Sequence, residues 1–129
     1  MTPARLARLV VAMAATLIAA CATSRSIAAR YQSALEVYGR ARSLPGYDGY
    51  VDAAIRSLSA RRLDRASGCY ARSPGERVVL IVIVDRTGRI IEADSDGNSA
   101  KAKCLRKAYS GQQMPIPPFF PFPIRFAAV

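Results

Sequence analysis

The sequence predicts a small α+β domain: a three-stranded antiparallel sheet with helices packed on one face, its elements ordered α-α-β-β-α-β. Three observations carry that reading. Residues 78–84 form an unbroken run of β-favouring apolar side chains, followed by an Asp-x-x-Gly turn at 85–88 and a returning segment. Apolar residues recur at helical spacing on either side of this hairpin, before 67 and after 99. A proline-rich crossover then leads into a short alternating segment that closes the chain. At 129 residues, with 19 Lys and Arg against 9 Asp and Glu, there is room for one such domain and its appendages.

The N-terminus comes first in the chain and is not part of that domain. Arg5 and Arg8 precede an uncharged, mostly apolar run over 9–20, and Cys21 follows at once. A bilayer-spanning helix needs about 20 apolar residues, so this shorter run predicts an export signal and not a permanent span. Leu17-Ile18-Ala19-Ala20-Cys21 resembles the lipobox of bacterial lipoproteins. The resemblance implies cleavage before Cys21 and lipidation of that cysteine; the other reading is an ordinary signal peptide, with Cys21 incidental. Two or three acyl chains on Cys21 would anchor the protein to a membrane, at about 0.8 kcal/mol for each buried CH₂. In the lipoproteins that this resembles, Asp after the cysteine retains the protein at the inner membrane, so Ala22 favours the outer membrane. The chain therefore divides into a signal peptide (1–20), a lipidated N-terminus and linker with a short helix (21–46) and the folded domain (47–129).

Within the linker, Ile27, Tyr31, Ala34, Leu35 and Tyr38 keep a helical period, and Ser43-Leu44-Pro45-Gly46 breaks it. Docked on the domain this would be an extra helix; undocked, a tether. Asp48 is placed to cap the next helix, in which Val51, Ala54, Ile55, Leu58 and Leu63 fall near one face and Ser67-Gly68 ends the run. Val78 to Val84 is apolar on both alternating faces, which predicts the central strand. After Asp85-Arg86-Thr87-Gly88, the second strand returns with Ile91 and Ala93 on one side and Ile90, Glu92 and Asp94 on the other. Ser99 is the expected N-cap of a helix with Ala102, Leu105, Ala108 and Tyr109 inward and Lys101, Lys103, Arg106 and Lys107 outward. Met114 to Pro123 cannot be helical, because Pro115, Pro117, Pro118 and Pro121 remove donors and fix φ. Residues 124–129 then alternate as an edge strand.

Composition excludes whole classes of chemistry. With no histidine, the Ser-His-Asp triad, the Cys-His pair and His-ligated zinc are absent. Glu92 to Asn98 brings oxygen ligands at alternate positions before a turn, but Gly97 falls too early and Leu105 stands where a calcium loop carries its bidentate Glu. No catalytic residue, metal site or cofactor is expected. Residues 1–20 carry two arginines and no acid, so the net charge of +10 falls to +8 after cleavage. That basic balance suits anionic headgroups or an acidic partner, and the exported compartment argues against nucleic acid. With Cys21 lipidated, Cys69 and Cys104 remain as one pair in an oxidising compartment, where a disulfide would add roughly 3–4 kcal/mol. The alternative is two buried free thiols. Tyr31, Tyr38, Tyr47 and Tyr50 sit at helix and loop positions that favour packing over carbohydrate stacking.

The ordered combination of helix, Val78–Val84 strand, Asp-x-x-Gly turn, returning Ile90-Ile91 strand, small-residue helix and Met114-Pro115-Ile116-Pro117-Pro118 element resembles the C-terminal domain shared by TolA and TonB. It covers residues 47–129, and Cys69 and Cys104 occupy places similar to the paired cysteines of TolA. What the resemblance implies is a non-catalytic module that recruits a periplasmic or outer-membrane protein by β-strand addition. Ile124, Arg125, Phe126, Ala127 and Ala128 are then the candidate docking edge. The chain departs from the membrane-embedded transducers in having a cleavable signal and about 25 residues of linker, which reach roughly 85 Å at most. The competing expectation is a structural subunit of an envelope secretion or conjugation machine, packed through an apolar patch at Phe119, Phe120 and Phe122.

Overall fold

The computed structural model describes residues 26–65 and 67–129, with side chains for all of these except 59–65 and 67. The expected signal segment, the lipidation candidate Cys21 and the Leu63 side chain lie outside what is described. The elements are α1 (26–41), α2 (Tyr47–Arg65), α3 (Ser67–Tyr70), β1 (Val78–Val84), β2 (Ile90–Ser95), α4 (Ala100–Tyr109) and β3 (Phe122–Ala128). The sheet is antiparallel throughout, in the order β2-β1-β3. This is the α+β class with the central strand where the apolar run predicts it, and every residue of β1 is buried.

The helices, however, cover both faces of the sheet and not one. Val78, Leu80, Val82 and Val84 point into the larger core with α2 and α4, through Tyr50, Ala54, Leu105 and Tyr109. Val79, Ile81 and Ile83 point the other way and meet Tyr31, Ala34, Leu35 and Val37 of α1. The cause is in β1 itself: a strand apolar on both faces leaves three side chains in water unless a second layer is found. The linker helix is that layer. Of its two possible fates, docked or tethering, the structure has it docked.

Turn and register follow local chemistry. Asp85 Oδ1 accepts from Thr87 N at 2.8 Å, Thr87 Oγ1 at 2.6 Å and Arg89 N at 3.0 Å. Led by the Thr87 hydroxyl, these bonds hold the Asp85 carboxyl below its ordinary pKa. Gly88 has φ +89°, and a Cβ there would collide with the Met114 carbonyl, so two separate reasons demand glycine. Just beyond the turn the β1–β2 register shifts between Ile83 and Val84. This bulge corrects the expected alternation: Ile90 opposes Val84 and Ala93 opposes Val82, both in the α2/α4 core, while Ile91 is exposed. One extra residue in the strand reverses the facing of everything before it.

Helix α2 begins at Tyr47, so Asp48 lies in its first turn, beside the positive end of the helix dipole, and is not its cap. Ser67 and Gly68 fall within α3 and do not simply end the preceding helix. Ser99 caps α4 as expected, its hydroxyl accepting from Ala102 N at 3.1 Å. Lys101 is a correction. Expected outward, it is fully buried, its Nζ donating to Glu76 O at 2.7 Å and lying 5.8 Å from the centre of the Tyr70 ring. The loop before β1 passes over the first turn of α4 and aims carbonyls at the ammonium, which supplies the partners a buried charge requires. Cys69 and Cys104 form the disulfide, with Cα atoms 5.4 Å apart, and tie α3 to α4.

Candidate protein-binding edge

Strand β3 pairs only with β1, so its outer side is a sheet edge. The far edge of β2 is partly closed: Ile90 N donates to Gln112 O at 2.9 Å, and Gly111 N to Ile90 O at 2.8 Å. The chain after α4 thus covers the start of β2, and among the described residues β3 carries no such bridge.

Phase along β3 decides which backbone groups face outward. Pro123 has no N–H, and its carbonyl accepts the Tyr47 hydroxyl at 2.9 Å, away from β1. In an antiparallel ladder the inward and outward phases alternate, so Arg125 and Ala127 share the outward phase, while Phe122, Ile124, Phe126 and Ala128 bond to β1. A proline in the outward phase costs the ladder nothing. It also blunts the edge at one end, so the usable stretch runs from Arg125.

The side chains sort accordingly. Ile124 and Ala128 are buried in the core, Phe126 is half-buried, and Arg125 and Ala127 are exposed. Of the five residues expected to form the edge, the structure makes two of them outward-facing in backbone and three of them anchors. Beside them runs a small apolar groove of about 130 Å³ between β3 and the helices, lined by Ala54, Ile55, Leu58, Tyr70, Tyr109 and Phe126, among others. Tyr109 meets Phe126 edge-on with ring centres 5.0 Å apart, and its hydroxyl lies 3.3 Å from that of Tyr70. The disulfide and the buried Lys101 hold α3, α4 and the preceding loop together and so fix this wall. The groove's tyrosine wall was missed in the sequence: Tyr109 reads as core, and the signal that could have found Tyr70 beside it is the expected Cys69–Cys104 bond, which sets residue 70 against α4.

At the blunted end, Phe122 is the packing centre. It stacks on Tyr47 at 5.0 Å, takes Tyr50 edge-on at 4.3 Å and lies 4.8 Å from Phe119. Burial pushes the Tyr47 and Tyr50 phenols up to about 12, so both remain donors, Tyr47 to Pro123 and Tyr50 to Pro115 O at 2.6 Å. Of the expected aromatic patch, Phe122 is core, Phe119 is half-buried and Phe120 is exposed.

On the other face, Asp94 is buried beneath α1. Arg30 Nε approaches its Oδ1 at 3.3 Å, and its Oδ2 has no hydrogen-bond partner. Burial raises its pKa, with Glu92 adding to the rise and Arg30 and Arg106 opposing it. The oxygen groups of 92–98 do not converge: Asp96 Oδ1 accepts from Val79 N at 3.1 Å and Asn98 Oδ1 from Arg106 at 2.9 Å, while Asp94 faces α1. Among the described residues there is no cluster of three metal-ligating side chains, and no helix is long and apolar enough to cross a membrane. No family model, curated protein or solved structure matches the chain.

Proposed function

We propose that this protein is a non-catalytic module of the bacterial cell envelope, lipid-anchored through Cys21, facing the periplasm and similar to the C-terminal domains of TolA and TonB. It binds a periplasmic or outer-membrane protein by taking an extended segment of that partner along β3. The single observation that carries this reading is the edge of β3: outward backbone at Arg125 and Ala127 beside an apolar groove that can seat a partner side chain. Backbone pairing supplies affinity in such a mode, and the groove between Ile55, Tyr109 and Phe126 supplies selectivity. The lipobox-like segment and the element order support the compartment and the likeness.

The test is a photoreactive residue placed at Ala127 and, in a second chain, at Lys103 on the exposed side of α4, followed by crosslinking in the native envelope. A defined partner captured from 127 but not from 103, and lost when Arg125→Pro removes an outward N–H, supports the proposal. Equal capture from both positions, or capture indifferent to the proline, rejects it.

A further inference from the structure

The α1 side of the sheet carries a surface that the strand edge leaves unused. A groove of about 470 Å³ opens between α1 and β2, lined by Ala34, Val37, Ile83, Ile91, Phe120 and Pro121 among others. Phe120 and Pro121 also line an adjoining depression of about 280 Å³ with Val37, Ala41 and Leu44. The two make one apolar surface, from which Ile91, Leu44 and Phe120 stand 46%, 46% and 41% exposed. Arginines surround it: Arg30 lines the groove, Arg40 lines the depression, and the Arg86 guanidinium lies 5.3 Å from the centre of the Phe120 ring. Glu92 is the acidic side chain on the lining.

In water such a surface leaves large apolar side chains hydrated. At a bilayer interface both halves are satisfied, the apolar groups below the headgroups and the guanidinium groups among the phosphates. The chain itself sets what lies opposite. Ser26 is on the groove wall and lies five residues along the chain from Cys21, a stretch that spans at most about 17 Å. An acylated Cys21 therefore holds this surface within reach of the headgroups.

We propose that the surface of Ile91, Phe120 and Leu44, with Arg40 and Arg86 at its rim, seats on the anionic bilayer that holds the acyl chains of Cys21. It is a second membrane contact beside the lipid anchor. The proposal rests on the lipoprotein reading for why a bilayer is near, but the contact belongs to α1, β2 and the crossover and is measurable without any acyl chain.

The test uses residues 21–129 with Cys21→Ser, which contain every described element, in sedimentation with phosphatidylcholine vesicles made with or without phosphatidylglycerol. Binding should require phosphatidylglycerol and weaken as salt rises. Phe120→Glu should reduce it about tenfold or more, and Arg40→Gln and Arg86→Gln roughly fivefold each, with unchanged circular dichroism. Lys103→Gln, on the exposed side of α4, should leave it unaltered. Absence of binding to phosphatidylglycerol vesicles, or binding indifferent to Phe120→Glu and Arg86→Gln, overturns the proposal. Mass analysis of the envelope protein tests the anchor separately: an unacylated Cys21 beside intact vesicle binding removes the anchor and upholds the surface.

Discussion

Lys101 and Lys103 are neighbours in an Ala-Lys-Ala-Lys run, yet one is fully buried and the other exposed. Helical period does separate them, since Lys101 stands four residues before Leu105 and eight before Tyr109 on the buried face; what hides its burial is its charge, which is met by a loop 25 residues away whose Glu76 carbonyl accepts its hydrogen bond. Lys101→Met keeps the stem and strands that carbonyl, so urea denaturation should show a loss of about 1–3 kcal/mol, whereas Lys103→Met should be near neutral. Asp94 was legible as a strand residue but not as a buried one, since only α1 closes over it. Its pKa is raised in the folded state, so its contribution is fully present below the ordinary carboxylate range and is lost as pH rises through the raised value. Asp94→Asn should therefore flatten that fall in a series of melting temperatures across mildly acidic to neutral pH. At Gly88 the demand was visible in the turn sequence, though the Met114 carbonyl that reinforces it was not. Gly88→Ala should cost about 1–3 kcal/mol in the same denaturation assay.

Among the elements, β1 was fully legible and its consequence was not. Seven apolar residues on two faces require two covering layers, and the helical period at Ile27 to Tyr38 was the available second one. Under a single helical layer, Ile81 would be exposed and its truncation mild. With α1 docked, Ile81→Ala should cost about 2–5 kcal/mol, comparable to Leu80→Ala on the other face. The bulge in β2 escaped reading because Ile90 and Ile91 are alike, and a pair of identical side chains hides which one is turned inward. The disulfide followed from parity and compartment, and its removal by Cys69→Ser with Cys104→Ser should lower stability by roughly 3–4 kcal/mol. It should also loosen the Tyr70–Tyr109 wall of the groove. Strand phase could not be read from the sequence at all. It matters for any edge experiment: proline at Phe126 would break a bond to β1, whereas proline at Arg125 removes only an outward donor.

For the molecule as a whole, the two candidate surfaces occupy different sides of one sheet. The α1 side bears arginines and exposed apolar groups next to the end that leads to Cys21, and the β3 edge with its groove opens beside α2 and α4. A domain seated on the bilayer by the first would leave the second free for a partner strand. The most direct measurement of the central claim is residue-resolved amide hydrogen exchange on the mature protein, alone and with its crosslink-identified partner. Arg125 and Ala127 should exchange far faster than Ile124 and Phe126 in the free protein and become protected when the partner binds. Protection of Arg125 and Ala127 already in the free protein, or no gain of protection on binding, would contradict it.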